Sequence, residues 1–256
     1  MPTLLYIIME KKGCRDLVFV FIMLISRGCG INCVTLQREL SFSHHDMEAQ
    51  RIKNIIFDLG GVICDLLPEV CHREFSRLGC DSNIFPTQYS QFEGIFQKID
   101  RGTMSIPDFL NAMRTEGGIQ ATDQQICDAW NSLIGPIPDE RFRAFKQLKD
   151  THNIYILSNT NDIHWGYVDK KCLYFEGEHV TPWFKHAFRS YDMHLEKPER
   201  EIYQAVLDTA QINPDETLFI DDNQPNLDAA AQLGIHTLLT KGGDWVMKLR
   251  EMGILA

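Results

Sequence analysis

From residue 47 onward the chain alternates short, almost unbroken apolar runs with longer stretches in which apolar residues recur every three or four positions. The runs lie at 54–57 (NIIF), 153–157 (NIYIL), 186–190 (HAFRS), 217–220 (TLFI) and 235–239 (IHTLL). Near-continuous apolarity over so few residues predicts parallel strands covered on both faces, with 186–190 the weakest of the five. Between them the period lengthens. Pro138-Asp139-Glu140 opens a helix carrying Phe142, Phe145 and Leu148 on one side. Pro198-Glu199 opens another, with Ile202, Ala205, Val206 and Ala210 along one face, and 226–233 gives a third that stops at Gly234 in the place of a C-cap glycine. Strand alternating with helix predicts an α/β fold, a doubly wound parallel (Rossmann-like) sheet. Ligands of such sheets bind at the carboxyl ends of the strands, where Asp58, Ser158 and the pair Asp221-Asp222 fall.

The span 66–137 breaks the alternation. It is too long for a crossover and shows helical rather than strand periodicity, over 68–78, 86–99, 106–114 and 122–133. Thr122 with Gln125 forms a capping arrangement at the start of the last. The expected organisation is a core of 47–65 and 138–256 with a helical cap subdomain, 66–137, inserted after the first strand. Phe92, Phe96, Phe109 and Trp130 are expected to form the cap's own core, while Arg101 and His72 are candidates for choosing the substrate.

Residues 1–46 follow a different pattern. LVFVFIMLI (17–25) is apolar but too short for a bilayer-spanning helix, and Lys11, Lys12 and Arg15 precede it. That is the outline of an export signal, yet Asp16 abuts the run and the following SRGCGINC offers no A-x-A cleavage site. The favoured reading takes Met47 as the natural start and places 1–46 outside the fold. It implies a cytoplasmic protein with no membrane contact for 47–256; an exported protein is the alternative.

Charge narrows the partners. A formal net charge of -10 argues against a nucleic-acid backbone, which calls for clustered Lys and Arg. Eight cysteines without a CxxC pair, in a chain of 256 residues, suit reduced thiols rather than a disulfide framework or a zinc site. Oligomeric state leaves no mark in the sequence.

The candidate chemistry sits at the strand ends. Asp58 closes the first run and enters Leu59-Gly60-Gly61-Val62, where glycines let the backbone approach a ligand and offer amide donors. The later strands end in LSNTN and FIDDN, and a loop, HLEKPE, carries Lys197. An acid, a hydroxyl, an ammonium and an acid pair suit magnesium-assisted phosphoryl transfer on a small phosphorylated metabolite. Asp65 is expected to fix the turn into the cap, and Asn223 and Asn226 to act as caps or supports. Asn161, His164 and Trp165 stand close enough to the second motif to be open candidates for substrate contact.

In order and spacing, FDLGGV, LSNT, the KP of HLEKPE, and IDDN resemble the haloacid dehalogenase superfamily over 53 to about 245. FDLGGVICD, LSNTN and FIDDN look like the branch containing α-D-glucose-1-phosphate phosphatases and the phosphatase-like N-terminal domain of epoxide hydrolases. IDRGTMSIPDF resembles that branch's type-1 cap. The resemblance implies Asp58 as nucleophile and Mg²⁺ ligand, and Ser158 with the Asn159 backbone as phosphoryl donors. It further implies Lys197 as charge clamp, Asp222 as Mg²⁺ ligand with Asp221 as second ligand or holder of coordinated water, the Gly60 carbonyl in the metal shell, and Gly61 against the substrate. One position departs: the family usually has a second Asp, the general acid, where this chain has Gly60. General acid–base assistance is worth ~10²–10⁴-fold, so its loss favours substrates with good leaving groups, such as sugar 1-phosphates. The competing expectations are a catalytically weakened binding or regulatory protein and a phosphomutase-like phosphotransferase. A dehalogenase, which has no use for Asp221-Asp222, stands further back.

Overall fold

Two strand-forming regimes appear in the computed structural model, which describes residues 4–11, 18–25, 51–80 and 94–256. The chain divides into two units, 1–51 and 52–256. In the first, β1 (Leu4–Lys11) and β2 (Val18–Ile25) pair antiparallel, Leu4 opposite Ile25 and Lys11 opposite Val18. The apolar run read as a possible export signal thus lies almost wholly in β2. No helix among the described residues is long and apolar enough to cross a membrane.

The second unit holds a five-stranded parallel sheet built from β3 (Asn54–Phe57), β4 (Asn153–Ser158), β7 (His186–Arg189), β8 (Thr217–Asp221) and β9 (His236–Leu239), in the order β7-β4-β3-β8-β9. Between β4 and β7 the two-residue strands β5 (Tyr174–Phe175) and β6 (Glu178–His179) form a small hairpin, too short to show a period in the sequence. Register explains why the polar tips converge: Phe57 of β3 pairs with Ile156 of β4 and Ile220 of β8. The residue after each, Asp58, Leu157 and Asp221, therefore stands at one level, with Ser158 and Asp222 one step beyond.

Alternate side chains of the central strands enter opposite layers, as a period of two requires. Ile55 and Phe57 join Phe142, Phe145, Leu148 and Trp245. Phe57 meets Phe145 and Trp245 edge-on at 5.1 and 4.9 Å between ring centroids. Ile56 joins Leu157, Phe219, Ile202 and Val206 on the other face. Truncating a ring such as Phe57 in so closed a layer costs about 3–5 kcal/mol.

The inserted segment folds as α1 (Pro68–Arg77), α2 (Ile95–Asp100), α3 (Ile106–Thr115) and α4 (Asp123–Asn131). Part of the helix expected over 86–99, including Phe92, lies outside the described residues. These helices have their own apolar cluster, with Phe75, Phe96, Phe109, Met113, Ile126 and Trp130 buried together. Each start has a local cause: Pro68 in the first turn of α1, Ser105 accepting from the Asp108 N–H before α3, and a reciprocal capping box between Thr122 and Gln125 before α4. The return to the core is made by α5 (Asp139–Thr151). Its buried Arg141 donates to the Asp65 carboxylate at 2.7 Å and to the carbonyls of Ile63 and Gly242, which accounts for Asp65 at the turn into the cap. Beyond β4, α6 (Asp162–Tyr167) leads away from the sheet, and α7 (Ser190–Met193) follows β7. The sheet is completed by α8 (Arg200–Ala210), α9 (Gln224–Ala231) and α10 (Trp245–Glu251). Gly234 takes φ +84°, the left-handed value that its place just past α9 requires. Cys64, Cys71, Cys80, Cys127 and Cys172 are free thiols.

Candidate active site

Asp58 leaves β3 with its N–H on the Ile220 carbonyl at 2.9 Å, so the sheet ladder itself sets its position. Its Oδ1 accepts from the Leu59 N–H at 2.7 Å and lies 2.8 Å from the Lys197 ammonium. The chain then turns tightly, with Ile63 N–H on Leu59 O and Gly61 N–H on Cys64 O. Gly61 sits at φ +74°, and a Cβ there would stand 2.3 Å from Asp222 Oδ2. Glycine is thus required both by the turn and by the carboxylate against it. At Gly60 a Cβ would meet the Leu66 side chain at 3.1 Å.

Lys197, 5% exposed, is the hub. Its Nζ donates to Asp221 Oδ2 at 2.7 Å, pairs with Asp58, and lies 5.5 Å from the Phe219 ring centroid. Burial disfavours the ammonium, but Asp221 and Asp58 outweigh it and hold its pKa above the ordinary lysine value. Asn159 fixes the loop from the other side: Oδ1 accepts the Lys197 N–H at 2.8 Å and Nδ2 donates to the Lys197 carbonyl at 2.9 Å. The motif reading gave Asn159 only a backbone role; its side chain clamps the lysine backbone. Ser158 is buried at the end of β4, where its hydroxyl donates to the Asn159 carbonyl at 3.3 Å.

The two adjacent acids differ. Asp221 is fully buried and saturated: Oδ1 accepts from the Asn223 N–H at 2.8 Å and Asn226 Nδ2 at 3.1 Å, Oδ2 from Asn226 at 3.1 Å and Lys197. Asp222 is exposed as a residue, yet partial desolvation of its carboxyl, with Asp221 adding to it and Lys197 opposing, raises its pKa. Ligand oxygens of Asp58, Asp221 and Asp222 lie within 4.8 Å of one another. Desolvation above all, with Asp221 and Asp222 adding to it and Lys197 opposing, pushes the Asp58 carboxyl up to about 7. Three acids around one ammonium leave an excess of negative charge.

Asp58, Gly60, Ser158, Asn159, Lys197 and Asp222 line a cavity of about 960 Å³. Leu66, Gln97, Asp100, Leu133, Ile134, His164 and Glu196 line the same cavity. Asp100, the last residue of α2, accepts from Asn161 Nδ2 at 2.7 Å, and its removal from water pushes its carboxyl up to about 7. Asn161 Oδ1 caps α6 through the His164 N–H at 3.0 Å. His164 stacks on Trp130 at 4.5 Å with Nε2 3.0 Å from the Trp130 carbonyl, and burial lowers its pKa to about 4, so the ring is neutral near pH 7. Of the open candidates, His164 reaches the cavity wall, Asn161 supports Asp100, and Trp165 packs in the core beneath the Arg189 guanidinium. Arg101 does not line the cavity. It forms a two-point ion pair with Glu199, at 2.6 and 3.0 Å. His72 lies on α1, away from the cavity lining. Sequence reasoning missed Gln97, Asp100 and Glu196; the only signal was that Asp100 stands in the IDRGTMS segment beside Arg101.

A family model for haloacid dehalogenase-like hydrolases matches residues 52–234. The chain is 29% identical over 200 residues to D-ribitol-5-phosphate phosphatase of Bacteroides thetaiotaomicron, covering 77% of this chain and 97% of that protein. A shorter stretch of 69 residues is 38% identical to rat bifunctional epoxide hydrolase 2, covering 27% of this chain and 12% of that one. Among solved structures, a mutant of a haloacid dehalogenase family enzyme from Bacteroides thetaiotaomicron, in complex with magnesium and inorganic phosphate, superposes with a TM-score of 0.75. Its sequence is 37% identical, and the match covers 78% of this chain and 99% of that one. A predicted haloacid dehalogenase-like hydrolase from Porphyromonas gingivalis gives 0.72 at 28% identity, over 79% and 98% of the two chains.

Proposed function

We propose, from the premise that this chain belongs to the haloacid dehalogenase-like hydrolases, that it is a Mg²⁺-dependent phosphatase that hydrolyses a phosphorylated sugar or polyol through an aspartyl-phosphate on Asp58. One observation carries the reading: Lys197 holds Asp58 and Asp221 at 2.8 and 2.7 Å against a cavity sized for a small metabolite. The relative named for D-ribitol-5-phosphate hydrolysis and the related enzyme bound to magnesium and phosphate support the chemistry.

The donor set fits a hard divalent cation, because three carboxylates with mutually close oxygens have only one ammonium among them. Asp58 and Asp222 would hold Mg²⁺ with the Gly60 carbonyl. Asp221, saturated by Lys197, Asn223 and Asn226, positions the lysine and would hold water beside a bound ion. Bound Mg²⁺ supplies positive charge toward the phosphoryl oxygens and lowers the carboxyl pKa values around it.

In the first step an oxygen of Asp58 attacks phosphorus and the ester oxygen departs. In the second, water attacks the same phosphorus and gives a proton to solvent, the bond from phosphorus to the Asp58 oxygen breaks, and inorganic phosphate leaves with the carboxylate restored. Lys197 stays protonated throughout and offsets the negative charge shared by nucleophile and phosphoryl group, while the Ser158 hydroxyl turns from the Asn159 carbonyl to a phosphoryl oxygen. At position 60 there is no acid, and Leu66 occupies the space beside it. The departing oxygen therefore takes its proton from water, which suits a sugar 1-phosphate better than a simple alkyl phosphate; the polyol 5-phosphate of the named relative points the other way. The two are separated by kcat/KM for glucose 1-phosphate against D-ribitol 5-phosphate, with Mg²⁺ and with EDTA. Activity on neither, in folded protein, returns the weakened binding protein to the front.

A further inference from the structure

We propose that Asp100, oriented by Asn161, selects the organic half of the substrate: a polyhydroxylated group carrying no charge of its own, whose hydroxyls bond to the Asp100 carboxyl. This deepens the phosphatase reading and rests on it. Asp100 lines the same cavity as Asp58 and is contributed by α2 rather than by the sheet.

Both the side chain and the backbone of Asp100 are held. Asn161, itself fully buried, donates to the carboxyl and is in turn fixed as the cap of α6. The Asp100 carbonyl accepts from the Ser190 hydroxyl, which anchors the end of α2 to the core. A group so held recognises by fixed geometry and loses little freedom on binding.

The surrounding chemistry restricts what it recognises. Among the described residues, Lys197 is the one cationic side chain on the cavity wall, and Asp58 and Asp221 already engage it. Glu196 is tied to Gln97 at 2.5 Å and lies 3.5 Å from Arg101. His164 is neutral and faces the Trp130 carbonyl. A second phosphate or a carboxylate on the substrate would therefore meet acids without a counter-charge. A hydroxyl both donates and accepts, so it suits a carboxyl in either protonation state. Leu66, Leu133 and Ile134 supply apolar surface for the carbon chain.

The decisive pair of probes is D-ribitol 5-phosphate and D-ribonate 5-phosphate, which differ only in a terminal CH₂OH against a carboxylate. Their affinities for the full chain carrying Asp58→Asn, with Mg²⁺, are read by calorimetry and need no turnover. The polyol is expected to bind about tenfold or more tightly, and Asp100→Asn, added to that protein, to shrink the preference about tenfold. Equal affinities for the two probes, or a preference untouched by Asp100→Asn in protein that melts cooperatively, overturn the proposal. The comparison of probes stands without the second variant, should that variant fail to fold. Wild-type turnover of p-nitrophenyl phosphate is measured alongside. Its absence sinks the phosphatase reading even where the binding preference holds, and its presence with no preference sinks the Asp100 assignment alone.

Discussion

Two parts of the cavity lining, a floor of strand ends and a wall from the inserted segment, are built by different means. The floor is made of strand ends: one register, Phe57 opposite Ile156 and Ile220, brings Asp58, Ser158 and Asp221 together, and buried ion pairs at 2.7 and 2.8 Å lock Lys197 among them. The wall is made mostly of the inserted segment, through Leu66, Gln97, Asp100, Leu133 and Ile134, which is joined to the core by Asp100 with Asn161 and by Arg101 with Glu199. A parallel sheet fixes its tips to within a hydrogen-bond register, which suits bond-making. A segment inserted outside the sheet can vary without disturbing that register, which suits substrate choice.

Breaking the floor has the largest expected effect. Lys197→Met leaves Asp58 and Asp221 facing each other without their cation. Loss of one partner from a buried charge pair typically costs about 3–5 kcal/mol, and loss of a charge-stabilising donor about 10²–10³-fold in kcat. Urea unfolding and kcat measured on the same variant check both, and a variant as active as wild type would remove the floor from the chemistry.

Rebuilding the floor is the next test. Gly60→Asp alone crowds Leu66, so the informative variant is Gly60→Asp with Leu66→Ala. It is expected to raise kcat/KM on D-ribitol 5-phosphate about tenfold relative to p-nitrophenyl phosphate, whose leaving group needs no proton, because general acid help is worth ~10²–10⁴-fold at best. An unchanged ratio would mean that the departing oxygen already has a proton donor in the cavity.

On the wall, Asp100→Asn tests electrostatics through stability. Burial raises the folded-state pKa of Asp100 to about 7 from 3.8. The folded protein then binds the proton more tightly than the unfolded chain, so stability from this group is full below about pH 4 and is lost as pH rises through about 7. Asp100→Asn removes that loss. Its melting temperature relative to wild type should climb between pH 4 and pH 7 and level off above; a difference that is flat with pH contradicts the assignment.

The smallest effect belongs to Arg101→Ala. The pair with Glu199 is about a third exposed on each side, and such ion pairs contribute about 0–1 kcal/mol. A melting shift of a few degrees, shrinking at high salt, is expected; a drop several times larger would mean that the pair holds the wall in place.

The difference between floor and wall also marks what the sequence could reveal. Parallel strands read as apolar runs that end in polar tips, so the five strands and the convergence of Asp58, Ser158 and Asp221 follow from local pattern together with sheet topology. The Phe96, Phe109 and Trp130 cluster was equally legible from helical periodicity. Asp100 was not, because its place on the wall depends on how the end of α2 packs against α6 and Ser190, and no spacing encodes that. Arg101 shows the same limit from the other side: beside Asp100 in sequence, it turns outward to Glu199. Asn159 was assigned through its backbone because its clamp on Lys197 joins residues 38 apart in the chain.

The central claim is that Asp58 attacks phosphorus. The most direct measurement is release of inorganic phosphate from p-nitrophenyl phosphate and D-ribitol 5-phosphate by the full chain and its Asp58→Asn variant, each with Mg²⁺ and with EDTA. Mg²⁺-dependent release by wild type, falling by at least about 10³-fold in a variant that melts like wild type, is the predicted result. Release that persists in Asp58→Asn would contradict an aspartyl-phosphate at this residue.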